Sequence, residues 1–257
     1  MVSQPVPTQA PSGASIVFFD QLDSTSLEAK RRAEAGARGP LWIIAGEQTA
    51  GYGRRGTGWT HGSGDLAATL LFEESADAKR RSLLTYVAAL AVAEGLETFP
   101  LSESIQFKWP NDIFLGGAKT GGLLMEAVGE ADLFCFGVGI NIVNRPTIEK
   151  YATASLTDFF KASGAEGLAV PTPTELLVSI DQKLAFWRGH FRQNGFEPVR
   201  EAWMNRAIGL GKPASFATGN ETIAGTFDGI GEDGSALMTT PNGQLRFFAG
   251  RLTIKRK

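Results

Sequence analysis

Residues 108–122 read Lys108-Trp109-Pro110-Asn111-Asp112-Ile113-Phe114-Leu115-Gly116-Gly117-Ala118-Lys119-Thr120-Gly121-Gly122. Short apolar runs alternate here with turn-forming residues, the mark of neighbouring strands rather than of a helix. Working outward, Ile105–Trp109, Ile113–Leu115, Thr120–Val128 and Leu133–Ile142 read as strands joined by tight turns. Towards the N-terminus, Ser15–Leu22, Leu41–Ala45 and Leu66–Phe72 are further apolar strands.

Helices fall between and after them. Thr25 and Glu28 have capping-box spacing and start a helix that runs to Ala35, where Gly36 and Gly39-Pro40 stop it. Ala78–Thr98 is amphipathic, with Leu83, Val87, Leu90 and Ala91 on one face. Pro171–Arg192 opens on Thr172, Pro173 and Glu175 and carries the stripe Leu176, Ile180, Leu184, Trp187 and Phe191. Phe196–Arg206 continues as a shorter helix. From Ala207 the turn signals Gly219-Asn220, Glu232-Asp233-Gly234 and Asn242-Gly243 separate short strands, the pattern of a small β-barrel. The expected fold is α+β: a mixed β-sheet with helices packed on one side, then a small C-terminal barrel. Residues 1–14 are expected as a flexible tail, 15–206 as the main domain and 207–257 as the small one.

Composition narrows the function. With 257 residues and 43% hydrophobic content, the chain can bury roughly three-quarters of its unfolded surface. A net charge of −2 supplies no basic field for nucleic acid and no cationic face for a membrane. The longest apolar stretch, Leu83–Leu96, is interrupted by Thr85, Glu94 and Gly95. Residues 1–13, rich in Pro, Gln and Ser, carry no secretion-signal pattern. A soluble, cytoplasmic protein is expected. The lone Cys135 sits in an apolar run with only His61 and His190 as bases in the whole chain, so it reads as a core residue. Lys255-Arg256-Lys257 reads as a solvated end.

Gly46–Gly64 is a long loop containing Gly51-Tyr52-Gly53-Arg54-Arg55-Gly56-Thr57-Gly58-Trp59. Gly51, Gly53 and Gly56 match a dinucleotide fingerprint literally. That fingerprint needs a helix to open at once, and Thr57-Gly58-Trp59-Thr60-His61-Gly62 cannot start one well. A phosphate-binding P-loop is absent too, because Gly116-Gly117-Ala118-Lys119-Thr120 lacks its frame. What the loop offers is close backbone approach at its glycines and two forked cations, Arg54 and Arg55. Alone, this suits a solvated surface loop equally well. Lys108 and Lys119 change the balance, because they flank apolar strands that a hairpin would bring together. Joining a carboxylate to ATP brings two anions into contact, and cations must offset the repulsion. Two arginines, two lysines and one carboxylate for Mg²⁺ would form such a set.

Taken together, Lys108–Asp112, Lys119-Thr120-Gly121-Gly122 and Gly51–Gly56 resemble the corresponding motifs of biotin protein ligases. So do Asp23-Ser24-Thr25, Gln48-Thr49-Ala50-Gly51, Gly137-Val138-Gly139-Ile140-Asn141 and the segment Gly229–Leu237. The resemblance implies the biotin–lipoate ligase catalytic fold, related to class II synthetases, with an SH3-like C-terminal barrel. It implies an enzyme that joins biotin to ATP, giving biotinyl-5′-AMP, and passes biotin to a lysine of a biotin carboxyl carrier protein. The implied biotin site is Ser24, Thr25, Ser26, Gln48, Tyr52, Gly53, Arg54 and Lys119, with Ser24, Thr25 and Gln48 on the fused ring. The implied ATP site is Arg54, Arg55, Trp59, Lys108 and Asn111, with Asp112 on Mg²⁺. Lys119, Arg54 and Asp112 carry the chemistry. ATP with Mg²⁺ and biotin are substrates, and no tightly bound metal is implied.

Departures from the family pattern are Tyr52 and Thr57 where arginines are usual, Ser26 for Asn, and Gly64-Asp65-Leu66 for Gly-Asn-Leu. The segment before Ser15 is too short for a helix-turn-helix, so operator binding is not expected. An exposed sheet edge could serve a homodimer or the carrier domain. The same catalytic fold also serves lipoate or octanoate ligases. A non-catalytic biotin-binding relative is the other alternative.

Overall fold

Alternation along the strands sorts the side chains onto two faces of one sheet. The computed structural model describes residues 7–75, 78–129, 132–148, 151–162, 169–219 and 221–254. Residues 1–6, Asn220 of an expected turn and Lys255–Lys257 lie outside them. Strands β1 (Ser15–Leu22), β2 (Leu41–Gln48), β3 (Leu66–Glu73), β4 (Ile105–Lys108), β5 (Asp112–Leu115), β6 (Ala118–Ala127) and β7 (Leu133–Ile140) form a seven-stranded sheet in the order β1-β2-β3-β7-β6-β5-β4. β1 and β2 are parallel and the other pairs antiparallel, so the sheet is mixed as expected.

Trp42, Ile44, Leu70, Phe72, Phe134 and Phe136 point to one face. There they meet α2 (Ala78–Leu96) and α4 (Pro173–Asn194), which also pack on each other. The intervening residues Ile43, Leu71, Leu133 and Cys135 point to the other face, where α1 (Thr25–Glu34) covers them with Ala29 and Ala33. The two long helices thus share one side of the sheet, as expected, while α1 occupies the opposite side. Its stripe is two alanines one turn apart, which leave little apolar periodicity to read but let the helix sit close. α3 (Leu156–Ala162) has no counterpart in the expected elements, being only seven residues long. Among the described residues no helix is long and apolar enough to cross a membrane.

Local start signals met different fates. Thr172 and Glu175 form the capping box of α4. The box expected at Thr25 and Glu28 does not form. Ser24 is the N-cap of α1, without a side-chain cap. Thr25 donates its N–H and hydroxyl to Gln48 Oε1, and Glu28 pairs with Arg31 and Arg32. A tertiary partner captured the threonine, and arginines one turn along the same helix captured the glutamate.

The expected tail is folded from residue 7 onward. Ala10 and Ala14 are buried, and Ile16 N–H donates to Thr8 O. Asp181 on α4, itself only 2% exposed, collects donors from Ser12 N, Ser12 Oγ and Trp42 Nε1 at 2.8 Å each. A buried carboxylate needs such partners, and this one anchors the segment.

α5 (Glu197–Met204) leads to the second sheet: β8 (Pro213–Thr218), β9 (Glu221–Ile230), β10 (Ala236–Thr240), β11 (Gly243–Phe247) and β12 (Arg251–Ile254), all antiparallel, in the order β11-β10-β9-β8-β12. This five-stranded sheet fits an SH3-like unit. It joins the first sheet without a gap. Phe107 exchanges backbone hydrogen bonds with Arg206 and Ile208, and Phe216, Phe227 and Ile230 belong to the same apolar core as Phe107 and Trp203.

Candidate active site

β7 builds the floor. Phe134, Phe136, Val138 and Ile140 face the α2/α4 core, while the other face runs Leu133, Cys135, Gly137, Gly139. That face loses its side chains along the strand, and α1 covers only the end that keeps them. Beyond it lies a cleft of about 920 Å³, floored by Gly137, Gly139, Gly122 of β6 and Ala67 of β3. The Trp59 indole rests on this floor. A Cβ at Gly139 would stand 2.4 Å from Trp59 Cε2, and one at Gly122 would stand 3.4 Å from Trp59 Cζ3.

A break in register puts the lysine there. In a regular strand, Lys119 and Gly122 would face opposite sides, since faces alternate every residue. The ladder shifts instead: Ile113 pairs with Gly121 but Phe114 pairs with Lys119. The extra residue turns Lys119 to the same side as Gly122. Its Nζ lies 2.6 Å from Asp112 Oδ1 and over the rings of Trp59 and Tyr151, at 5.8 and 5.3 Å. Asp112 is the only carboxylate lining the cleft among the described residues. Asn111 is fixed beside it, its amide donating to Leu123 O while its own carbonyl accepts from Leu123 N.

One wall is the start of α1. Ser24, Thr25 and Ser26 are all buried. Thr25 Oγ1 and Ser26 Oγ lie 2.8 and 3.1 Å from Thr69 Oγ1, and Gln48 accepts twice from Thr25. The result is an oriented set of hydroxyls and an amide in an otherwise apolar bed.

The lid is a hairpin rather than an irregular loop. Trp59 N–H donates to Gly51 O, Tyr52 bridges Gly58, and Gly53 N–H donates to Thr57 O. A short 3-10 turn, Arg54–Gly56, forms the tip, with Arg55 at φ 56°. Gly51 must be glycine, because a Cβ would lie 2.7 Å from Trp59 O. Burial, then repulsion from Arg55, lowers the pKa of the Arg54 guanidinium, which lies 6.0 Å from the Trp109 ring. Trp109 is held in turn. Its Nε1–H donates to Tyr86 Oη, which donates to Gly234 O in the turn between β9 and β10.

Eleven of the sequence-expected residues therefore line one cleft: Ser24, Thr25, Ser26, Gln48, Tyr52, Gly53, Arg54, Trp59, Asn111, Asp112 and Lys119. Two do not. Arg55 is exposed because its left-handed backbone turns it away from Arg54. Lys108 lies opposite Asp112 in the ladder, and its ammonium reaches over Phe114.

Sequence reasoning missed Tyr151, Asn141, Arg251 of β12 and the floor glycines as lining residues. The alternation of bulky apolar and small residues in Phe134-Cys135-Phe136-Gly137-Val138-Gly139 was the available sign for the floor. Tyr151 and Arg251 arrive from distant segments and had none. Asn141 Oδ1 and Trp59 Nε1 are buried at the cleft and have no hydrogen-bond partner among the described residues. Asp65, standing where the family has Asn, accepts from Ile142, Val143 and Asn144 N–H and so shapes the loop after β7. Burial pushes the Cys135 thiol up to about 12, consistent with a core role. Among the described residues no three His, Cys, Asp or Glu side chains gather as a metal site.

Residues 18–142 match the model of the biotin/lipoate A/B protein ligase family. A biotin--[acetyl-CoA-carboxylase] ligase of Paracoccus denitrificans is 36% identical over 232 residues, covering 87% of this chain and 94% of that protein. A bifunctional ligase/repressor of Bacillus subtilis is 28% identical over 249 residues, covering 94% of this chain and 74% of that protein. Among solved structures, the biotin protein ligase of Aquifex aeolicus in complex with biotin and ATP superposes with a TM-score of 0.78 at 24% identity, over 94% of this chain and 99% of that one. That likeness establishes the shared fold.

Proposed function

The chain belongs to the biotin protein ligase family, and from that premise we propose how its cleft divides the work. The enzyme is an ATP-dependent ligase that activates biotin and biotinylates a carrier protein of a biotin-dependent carboxylase. We assign it to the cytoplasm, where ATP is supplied. The edge of the large sheet at β1, beyond the stretch where Thr8 and Gln9 pair with Ser15 and Ile16, would receive the carrier domain or a second copy of the chain.

Ser24, Thr25, Ser26 and Gln48 form the subsite for the ureido ring of biotin, since their buried hydroxyls and amide are already oriented. The valeryl chain runs over the glycine floor towards Lys119. There the biotin carboxylate oxygen attacks the α-phosphorus of ATP, the bond to the β-phosphate oxygen breaks, and pyrophosphate leaves. Lys119 and Arg54 offset the negative charge that gathers at the α-phosphate. Mg²⁺ arrives with ATP as part of the substrate. One carboxylate, Asp112, suits an ion that keeps waters and phosphate oxygens as its other ligands. Trp59 and Asn111 border the nucleotide. In the second step, a carrier lysine amine attacks the acyl carbon of the mixed anhydride, the amide forms, and AMP leaves.

The observation that carries this assignment is Lys119, turned by the bulge into an aromatic-walled cleft beside Asp112, the one carboxylate lining it among the described residues. The test is pyrophosphate release on mixing enzyme with MgATP and biotin, with lipoate as the rival acid. Release with biotin and a bound biotinyl-AMP found by mass support the reading. Release with lipoate alone would overturn it.

A further inference from the structure

Among the described residues, Tyr52 is the hairpin residue whose side chain hydrogen-bonds to two other elements. Its hydroxyl accepts from Lys30 Nζ at 3.1 Å and donates to Glu126 Oε2 at 3.1 Å. Lys30 Nζ pairs with Glu126 Oε1 at 2.8 Å and lies 5.5 Å from the Tyr52 ring centre. Each partner follows from a pattern that already builds the cleft. Lys30 stands four residues after Ser26, one turn further along the same face of α1. Glu126 follows Gly122 and Leu124 at the strand period, on the face of β6 that floors the cleft. The three groups therefore meet at the rim, joining the helix that carries Ser24–Ser26, the strand that carries Lys119 and the hairpin that carries Arg54.

We propose that Lys30 and Glu126 are positioning residues that latch Tyr52, closing the hairpin over the cleft before substrate binds and retaining the acyl-adenylate between the two half-reactions. The proposal rests on the ligase reading above. An exposed ion pair alone would hold little. This one is part-buried, with side chains 31% and 26% exposed, and it uses both the donor and the acceptor of one phenol. The Tyr52–Gly58 bridge and the Gly53–Thr57 hydrogen bond make the hairpin stiff, so fixing the Tyr52 ring fixes Arg54 two residues on. Lys30 and Glu126 cancel in charge, so the latch adds nothing to the cations that act on the phosphate.

Two measurements on the full-length enzyme test it. The first is native-state trypsin cleavage after Arg54 and Arg55, without substrates. Tyr52→Phe and Lys30→Met should speed it about ten-fold, in line with the loss of hydrogen bonds to charged partners, and Lys30→Arg should restore the slow rate. The second is pyrophosphate release with biotin and MgATP but no carrier. The wild type should give a burst and then a slow linear phase set by adenylate escape. Lys30→Met should speed that linear phase about ten-fold per active site counted from the burst, with free biotinyl-AMP accumulating. Unchanged cleavage and unchanged linear rates would overturn the latch, and so would failure of Lys30→Arg to rescue. A wild type with no burst overturns the ligase reading and the retention claim with it, while the tryptic rates still decide whether the hairpin is latched.

Discussion

Replacing Lys119 with alanine removes the only ammonium among the described residues lining the cleft, and the structure sets two very different magnitudes for the loss. The pair with Asp112 spans 2.6 Å, with side chains 16% and 24% exposed. Water can still reach Asp112, so folding should lose about 1 kcal/mol or less. For a chain of this size that lowers Tm by roughly 2–4 °C. The chemical loss is larger. The ammonium lies between the Trp59 and Tyr151 rings, at 5.8 and 5.3 Å, in surroundings where a cation aimed at developing charge acts strongly. Removing one such preorganised group typically costs ~10²–10³ in rate, about 3–4 kcal/mol. Rapid-quench measurement of pyrophosphate in a single turnover, at saturating biotin and MgATP, reads the second quantity, and a thermal melt reads the first. A variant that adenylates within ten-fold of wild type would refute the charge argument. A collapse in Tm with a proportionate loss of activity would show that Lys119 serves the fold instead.

Arg54→Gly should weaken retention of the adenylate and raise labelling of bystander lysines, seen by streptavidin blot against added albumin; unchanged labelling would count against that role. Gly139→Ala places a methyl where Trp59 Cε2 is 2.4 Å away, so the indole must leave the floor, and acrylamide quenching of the Trp59 contribution should rise. Equal quenching would mean the ring never needed the glycine. At Glu74, burial opposes ionisation, but hydrogen bonds from Arg192 and Arg188 outweigh it and hold the pKa below its ordinary 4.5. A lowered folded-state pKa gives stability that is complete above the unfolded value and lost as pH falls through the folded one. Glu74→Gln should therefore destabilise the protein more at pH 7 than at about pH 3, because the stability that the wild-type carboxylate adds declines as pH falls below the unfolded value. Urea midpoints that shift equally at both pH values would exclude this.

The large sheet was legible because each strand carries a period-two pattern or an apolar run between turn residues. The long helices were legible because Leu83–Ala91 and Leu176–Phe191 keep a helical period. Of the candidate site, residue chemistry offered the loop arginines, Lys108, Lys119 and one carboxylate, while Ser24, Thr25, Ser26, Gln48, Tyr52, Gly53, Trp59 and Asn111 came only from the family resemblance. What could not be read depended on partners distant in the chain. The bulge that turns Lys119 inward leaves no mark on residue types. Thr25 looks like a capping residue until Gln48 and Thr69 claim it. Ser12 looks like part of a loose tail until Asp181, 169 residues later, binds it. Arg55 and Arg54 are indistinguishable as letters, and a single left-handed φ separates them.

β7 also bears on how such an enzyme can change over descent. Its two faces answer to different selection. Phe134, Phe136, Val138 and Ile140 are bound to the helices behind the sheet, and altering them threatens the amount of folded protein in a cell. Gly137 and Gly139 face only the cleft, and altering them reshapes what can lie there while leaving abundance largely intact. A lineage drifting towards a bulkier or shorter acid would then register the change first at alternate positions of a single strand, with the intervening residues unmoved.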